Sequence, residues 1–129
     1  MRFLIFSLIL FIVFSIVFVK AIKGDFNEIL VEKKFEYSPK ILFTIAYFQQ
    51  IFFSYEKAID TYRLIVEKFP ESKYADDSLY RMASIFYDDL NDRNKAIEAL
   101  KKLVYFYPES EYRDESERKI EIYIKGPEW

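Results

Sequence analysis

The chain has 129 residues, of which 52% are hydrophobic, and a net charge of −2. This length and composition fit one domain with a sizeable core and exclude disorder for most of the chain. Two glycines and four prolines are too few for the frequent turns of a β-rich fold, so we predict an all-α protein. The absence of cysteine and histidine excludes disulfides, thiol nucleophiles and the commonest general base and transition-metal ligand.

The N-terminal segment, residues 1–23, is apolar. Residues 3–19 contain no charge and lie between Arg2 and Lys20. The run predicts a single-span inner-membrane anchor of a cell envelope, with the domain facing the periplasm. The alternative is a secretory signal cleaved near Ala21, which would leave the domain free in the periplasm. The lysines that follow the run favour the cytoplasmic orientation instead, so the sequence leaves the orientation open.

The rest of the chain is acidic. Residues 24–129 carry 16 basic and 21 acidic groups, a net charge of −5. The basic residues are scattered, which argues against a nucleic-acid partner. We divide this part into a connector at 24–38, which could form a short helix, a helical domain at 39–125 and a tail at 126–129.

Apolar residues at helical spacing predict five helices in the domain. We place them at Ile41–Phe53, Glu56–Phe69, Asp76 to about Leu90, a fourth capped by Asn94, and Arg113–Lys125. The second and fourth helices share six inward positions: Ala58, Ile59, Tyr62, Ile65, Val66 and Phe69 in one, and Ala96, Ile97, Leu100, Leu103, Val104 and Tyr107 in the other. The fifth helix is half polar, as a capping helix should be.

An internal repeat relates the two halves of the domain. Tyr55–Ser78 and Arg93–Ser116 share ten identities in twenty-four positions at an offset of 38 residues. A fixed period in this range indicates stacked helical hairpins.

The repeat resembles the tetratricopeptide family, whose pattern places small, aromatic and proline residues at fixed spacing in two helices. The matching positions are Ala46, Ala58, Tyr62 and Pro70 in the first repeat, and Tyr80, Ser84, Tyr87, Ala96, Leu100 and Pro108 in the second. Two features depart from the pattern: Gln49 stands at the Tyr position, and the period exceeds 34 by four residues. The longer link after each proline is similar to the envelope subgroup typified by BamD and the periplasmic Tol-Pal accessory protein.

The resemblance implies a right-handed stack of antiparallel hairpins, with two repeats and a C-terminal capping helix. It also implies a non-catalytic scaffold that binds a protein or peptide in a concave groove. We expect no cofactor and no metal, because the chain has no cysteine and no histidine to hold them. The first helix of each hairpin lines that groove in the family, and the matching residues here are Lys40, Phe43, Tyr47, Gln50, Ser78, Arg81, Ile85, Asp88 and Asp89. Lys119 and Tyr123 would extend the surface. The alternative is that Phe43, Tyr47 and Ile85 are ordinary packing residues.

Two other functions are supported by fewer features of the sequence than the groove-binding scaffold is. Two repeats are fewer than solenoids usually need, so the domain could be an assembly element of an envelope or outer-membrane-biogenesis complex. It would act through self- or hetero-association, and self-association would use Ile41–Phe53. A carboxylate-based envelope hydrolase would need two carboxyl groups facing each other in a cleft, whereas the predicted helices place theirs on polar faces or in turns. Asp88, Asp89 and Asp92 lack the spacing, glycine and distal glutamate of a calcium loop.

Overall fold

The computed structural model describes residues 2–24, 27 and 38–126, with backbone alone for residues 2–6. All regular elements in its described part are helices, which confirms the all-α prediction. Most of the predicted connector and of the tail lies outside the described residues.

Six α-helices follow one another in the described part of the chain. Their bounds are α1 Arg2–Lys23, α2 Ser38–Ile51, α3 Tyr55–Lys68, α4 Ala75–Ser84, α5 Arg93–Phe106 and α6 Arg113–Lys125, and a π-helical turn at Ile85–Asp89 prolongs α4. Helix α2 packs on α3, α3 on α4, α4 on α5 and α5 on α6. Consecutive helices are therefore neighbours, as in a stack of hairpins.

Helix ends follow the local sequence closely. Pro39 lies in the first turn of α2, where its missing N–H is not needed. Pro70 and Pro108 each lie two residues after the end of the second helix of a hairpin, α3 or α5. We had predicted Asn94 as the N-cap of α5. The N-cap is instead Asp92, whose carboxylate accepts the backbone N–H of Lys95 at 3.1 Å.

The core contains most of the repeated inward positions. Ala58, Ile59, Tyr62 and Ile65 of α3 and Ala96, Leu100 and Leu103 of α5 are buried. The remaining predicted positions, Val66, Phe69, Ile97, Val104 and Tyr107, are only half-buried. Thr61 of α3 and Ala99 of α5, at equivalent positions of the repeat, are also buried. The buried face of each helix is therefore broader than predicted. Ala46 and Ala83 are also buried, and their small side chains allow close helix approach.

Helix α1 extends beyond the packed domain. Its large apolar side chains from Leu8 to Phe14, and again at Ile16, Val17 and Val19, are exposed. In the part of the chain that the structure describes, no helix combines the length and the apolar character needed to cross a membrane. This finding does not support the predicted single-span anchor.

The end of α1 is joined to the first hairpin by a buried polar network. Gln49 of α2 is fully buried and donates a hydrogen bond from Nε2 to the Ile22 carbonyl oxygen at 2.7 Å. Its Oε1 accepts a hydrogen bond from the Thr61 hydroxyl at 2.8 Å, and Asn27 Nδ2 donates to the same hydroxyl at 2.8 Å. The residue that departs from the repeat pattern therefore attaches α1 to the domain.

Candidate partner-binding groove

Three helices lie side by side along one face of the domain, as their side-chain pairs show. Tyr47 of α2 meets Arg81 of α4, and Tyr80 of α4 meets Glu115 and Lys119 of α6. Helices α2 and α4 are the first helices of the two hairpins, and α6 is the capping helix that follows them. We call this face the groove.

The α2–α4 part of the groove contains an exposed cation–π pair. The Arg81 guanidinium carbon lies 5.7 Å from the centre of the Tyr47 ring, and both side chains are exposed. Such a pair contributes about 0.5–1 kcal/mol at an exposed site and brings two large side chains together without burying them. Both remain available to a ligand.

The α4–α6 part is more polar and more tightly joined. The Tyr80 hydroxyl donates to Glu115 Oε1 at 2.6 Å and accepts from Lys119 Nζ at 2.8 Å. The hydrogen bond from Tyr80 is the main reason that the pKa of the Glu115 carboxyl is below its ordinary value. The Tyr80 ring also stacks on Tyr112 at 4.5 Å between centres. These contacts join α4 to α6 and to the link before it, so the polar side chains in this part of the groove are already paired with one another.

The comparisons with known proteins identify the repeats. The family model for the tetratricopeptide repeat matches residues 44–72 and 77–110. Two segments of the chain thus match the tetratricopeptide repeat. No curated protein and no solved structure shows a significant match to it. Tetratricopeptide repeats are generally non-catalytic modules that bind proteins or peptides.

The matched segments cover the repeat-defining residues of both hairpins, from Ala46 to Pro70 and from Tyr80 to Pro108. The second tetratricopeptide repeat has Tyr87 where the first has Gln49, and the two side chains act differently. The Tyr87 ring stacks on Tyr123 at 3.8 Å between centres, whereas Gln49 makes hydrogen bonds. At this repeat position, Tyr87 of the second repeat thus contacts α6, and Gln49 of the first repeat contacts α1.

The structure separates the predicted groove residues into three groups. Lys40, Tyr47, Arg81, Asp88 and Asp89 are exposed, and Phe43 and Gln50 are half-buried. Ser78 and Ile85 are fully buried, so their assignment to the groove surface was wrong. Ser78 packs against the preceding link, donating a hydrogen bond to the Tyr74 carbonyl oxygen, and Ile85 belongs to the hydrophobic core. Tyr123 is also buried and does not extend the surface.

Sequence reasoning missed two groove residues in the links between the tetratricopeptide repeats. The Tyr74 ring lies 5.4 Å from that of Phe43, and Tyr112, 38 residues later, stacks on Tyr80. The neighbouring Asp77 carboxylate is the main cause that raises the pKa of the Tyr112 hydroxyl to about 12. Each long link thus returns a tyrosine to the first helix of the preceding hairpin. The identity of Tyr74 and Tyr112 in the repeat was the signal that could have found them.

Proposed function

We propose that the protein is an envelope adaptor that binds a protein or peptide in the groove, with Tyr47 and Arg81 as its anchors. The observation that supports this most is their exposed cation–π pair, since it lies on the first helices of both hairpins. Aromatic and arginine side chains supply much of the binding energy in protein interfaces. The pair is already oriented, so less side-chain freedom is lost when a partner binds.

Replacing Tyr47 or Arg81 with alanine should weaken partner binding by about 1–3 kcal/mol, because each removes one anchor of the pair. The helix content and melting temperature should remain nearly unchanged, since both side chains are exposed. The partner is first captured by crosslinking the full chain in membranes. Its dissociation constant for each variant is then measured by titration calorimetry.

Two exposed residues outside the groove provide matched controls. Tyr105→Ala and Arg63→Ala remove the same side-chain types from α5 and α3 and should leave binding unchanged. If Tyr47→Ala and Arg81→Ala both bind with wild-type affinity, the partner uses another face. If both unfold the domain, their side chains are structural.

The envelope location and membrane attachment in this proposal depend on α1 and on the links. Exposed apolar side chains on α1 cost free energy in water and mark a contact with an apolar phase. The longer link after each proline resembles the envelope tetratricopeptide subgroup that includes BamD and the Tol-Pal accessory protein. In this proposal residues 2–23 stay on the protein and insert into the membrane surface. Flotation of the full chain with phospholipid vesicles tests the attachment, and a chain that stays at the bottom of the gradient would contradict it.

A second function, assembly through self-association, is favoured by the open end of the stack. A cavity forms where α3, α4 and α5 meet, lined in part by Val66, Met82 and Ala99. The equivalents of Val66 and Met82 in the next repeat, Val104 and Ile120, line an open cavity of 630 Å³. The cavity lined by Val66 and Met82 has α5 beside it. Within the described residues, no helix lies in the equivalent position beside the 630 Å³ cavity.

Self-association at this end predicts a dimer of the full chain in detergent micelles. Sedimentation velocity should show it at tens of micromolar, and Phe106→Asp, placed in the lining of the 630 Å³ cavity, should convert it to a monomer. The sequence had suggested Ile41–Phe53 instead, so Ile41→Asp is the matched variant. A monomeric wild-type protein at this concentration would exclude the assembly function through either surface.

A further inference from the structure

We propose that the last residue of α2 and the turn that follows it, Ile51–Phe53, insert into the membrane surface beside α1 and so set the orientation of the domain. We call these three residues the apolar turn. The inference rests on the proposed attachment of α1 to a membrane. It adds a second lipid contact, and its partner is a phospholipid surface.

The apolar turn exposes more hydrophobic surface than a loop of a water-soluble domain normally does. Ile51 is 47% exposed, Phe52 53% and Phe53 78%. Isolated exposed apolar residues are common on proteins, but three large ones in succession form a patch that marks an interaction surface.

The backbone geometry of the turn does not require phenylalanine. Phe53 has a φ of +58°, in the left-handed region, and its equivalent in the second repeat, Asn91, has a φ of +52°. Asparagine tolerates this conformation, whereas an aromatic side chain adopts it at a cost. The two residues precede the N-caps of α3 and α5, Ser54 and Asp92, so they have the same structural role. The Phe53 ring meets the Tyr55 ring edge-to-face at 6.1 Å but remains largely exposed. Phe53 therefore bears backbone strain without gaining burial, which indicates that its ring serves a contact outside the domain.

The apolar turn lies beside the end of the apolar run of α1. The Phe18 ring is 5.8 Å from that of Phe52 and 5.4 Å from that of Phe48, in edge-to-face arrangements. Phe18 is the second-last residue of the uncharged run, and Lys20 follows it two positions later. The turn is therefore at the level where α1 changes from apolar to charged.

This level is the one at which a membrane surface would meet the protein. Aromatic side chains favour the boundary between acyl chains and headgroups, and lysines just beyond it attract anionic lipids. Through the contact between Phe18 and Phe52, the exposed apolar side chains of α1 continue into those of the apolar turn, and Lys20 and Lys23 follow them. A lipid surface fits this continuity and charge pattern, and a protein partner at the turn is the alternative outcome of the test.

Tryptophan fluorescence in vesicles can locate the turn. The full chain has one tryptophan, Trp129, which is replaced with phenylalanine to remove its signal. Phe53→Trp and Tyr105→Trp are then made separately, and these two positions match because both native side chains are 78% exposed. Each variant is mixed with vesicles of phosphatidylglycerol and phosphatidylethanolamine, with and without bromine on the acyl chains. Flotation measures attachment in the same samples, and circular dichroism confirms that both variants keep their helix content.

We expect both variants to float, and brominated lipid to quench the Phe53→Trp emission at least twofold while leaving the Tyr105→Trp emission unchanged. If both float and neither is quenched, the inference about the turn is overturned while the attachment of α1 stands. Equal quenching at both positions would also overturn it, because the turn would then contact lipid no more than the control position in α5 does. If neither variant floats, the proposed membrane attachment itself fails, and the inference fails with it.

Discussion

Tyr62→Ala should lower the free energy of unfolding by about 3–5 kcal/mol, the range for an aromatic residue deleted from a packed core. Tyr62 is fully buried in α3, and its ring meets that of Phe43 at 5.4 Å. The large cavity left behind cannot close easily, because α2, α3 and α4 are held by the packing of both hairpins. Since small domains are stable by only about 5–15 kcal/mol, this variant should be close to unfolding at physiological temperature.

Tyr62→Phe should behave differently. The Tyr62 hydroxyl is buried and has no hydrogen-bond partner among the described residues, and its burial raises the pKa of the group. Removing a buried polar group that is not hydrogen-bonded relieves a desolvation cost, so we expect stability to rise by about 1 kcal/mol.

Urea unfolding of the full chain in a mild non-ionic detergent, followed by circular dichroism, measures both effects. Tyr105→Ala is the matched control, because it deletes the same side chain from an exposed position and should change stability by less than about 0.5 kcal/mol. A loss of more than about 1 kcal/mol in Tyr62→Phe would show that the hydroxyl finds a hydrogen-bond partner in solution.

Gln49→Leu should lower the stability of the full chain by about 1–3 kcal/mol and release the end of α1 from the first hairpin. The substitution keeps the apolar volume but removes the acceptor of the Thr61 hydroxyl and the donor to the Ile22 carbonyl oxygen. Both groups would then remain buried without these partners, which costs more than the hydrogen bonds themselves contribute.

A double-mutant cycle separates this network from simple packing. Thr61→Val removes the hydroxyl that depends on Gln49, so Gln49→Leu combined with Thr61→Val should be less destabilising than the sum of the two single variants. Hydrogen exchange at the amides of residues 19–24 should report the release of α1 in Gln49→Leu. The same substitution at the next position, Gln50→Leu, is the control, because Gln50 Oε1 accepts no hydrogen bond within the described residues. Additive effects of Gln49→Leu and Thr61→Val would contradict the coupling.

Much of the fold was determined by the sequence itself. The repeated set of Ala58, Tyr62, Ala96 and Leu100 at helical spacing gave the second helix of each hairpin and most of its buried face. Proline and aspartate residues placed the helix ends to within a few positions, because capping and the missing proline N–H act on neighbouring residues. The repeat of 38 residues then indicated stacked hairpins and the tetratricopeptide family. Such features are local or periodic, and a single sequence records them directly.

The tertiary structure alone decided which residues meet across the helices. The resemblance to the tetratricopeptide family placed Ser78 and Ile85 on the groove face, but the long link and the core cover them. It gave no sign that Tyr112 reaches Tyr80 and Asp77 from a link, because the path of a link depends on the packing of the helices it joins. Gln49 looked like a departure from the repeat until Thr61 and the end of α1 were found around it. Hydrogen bonds between residues distant in sequence depend on how the helices pack, and no spacing along the chain encodes that packing.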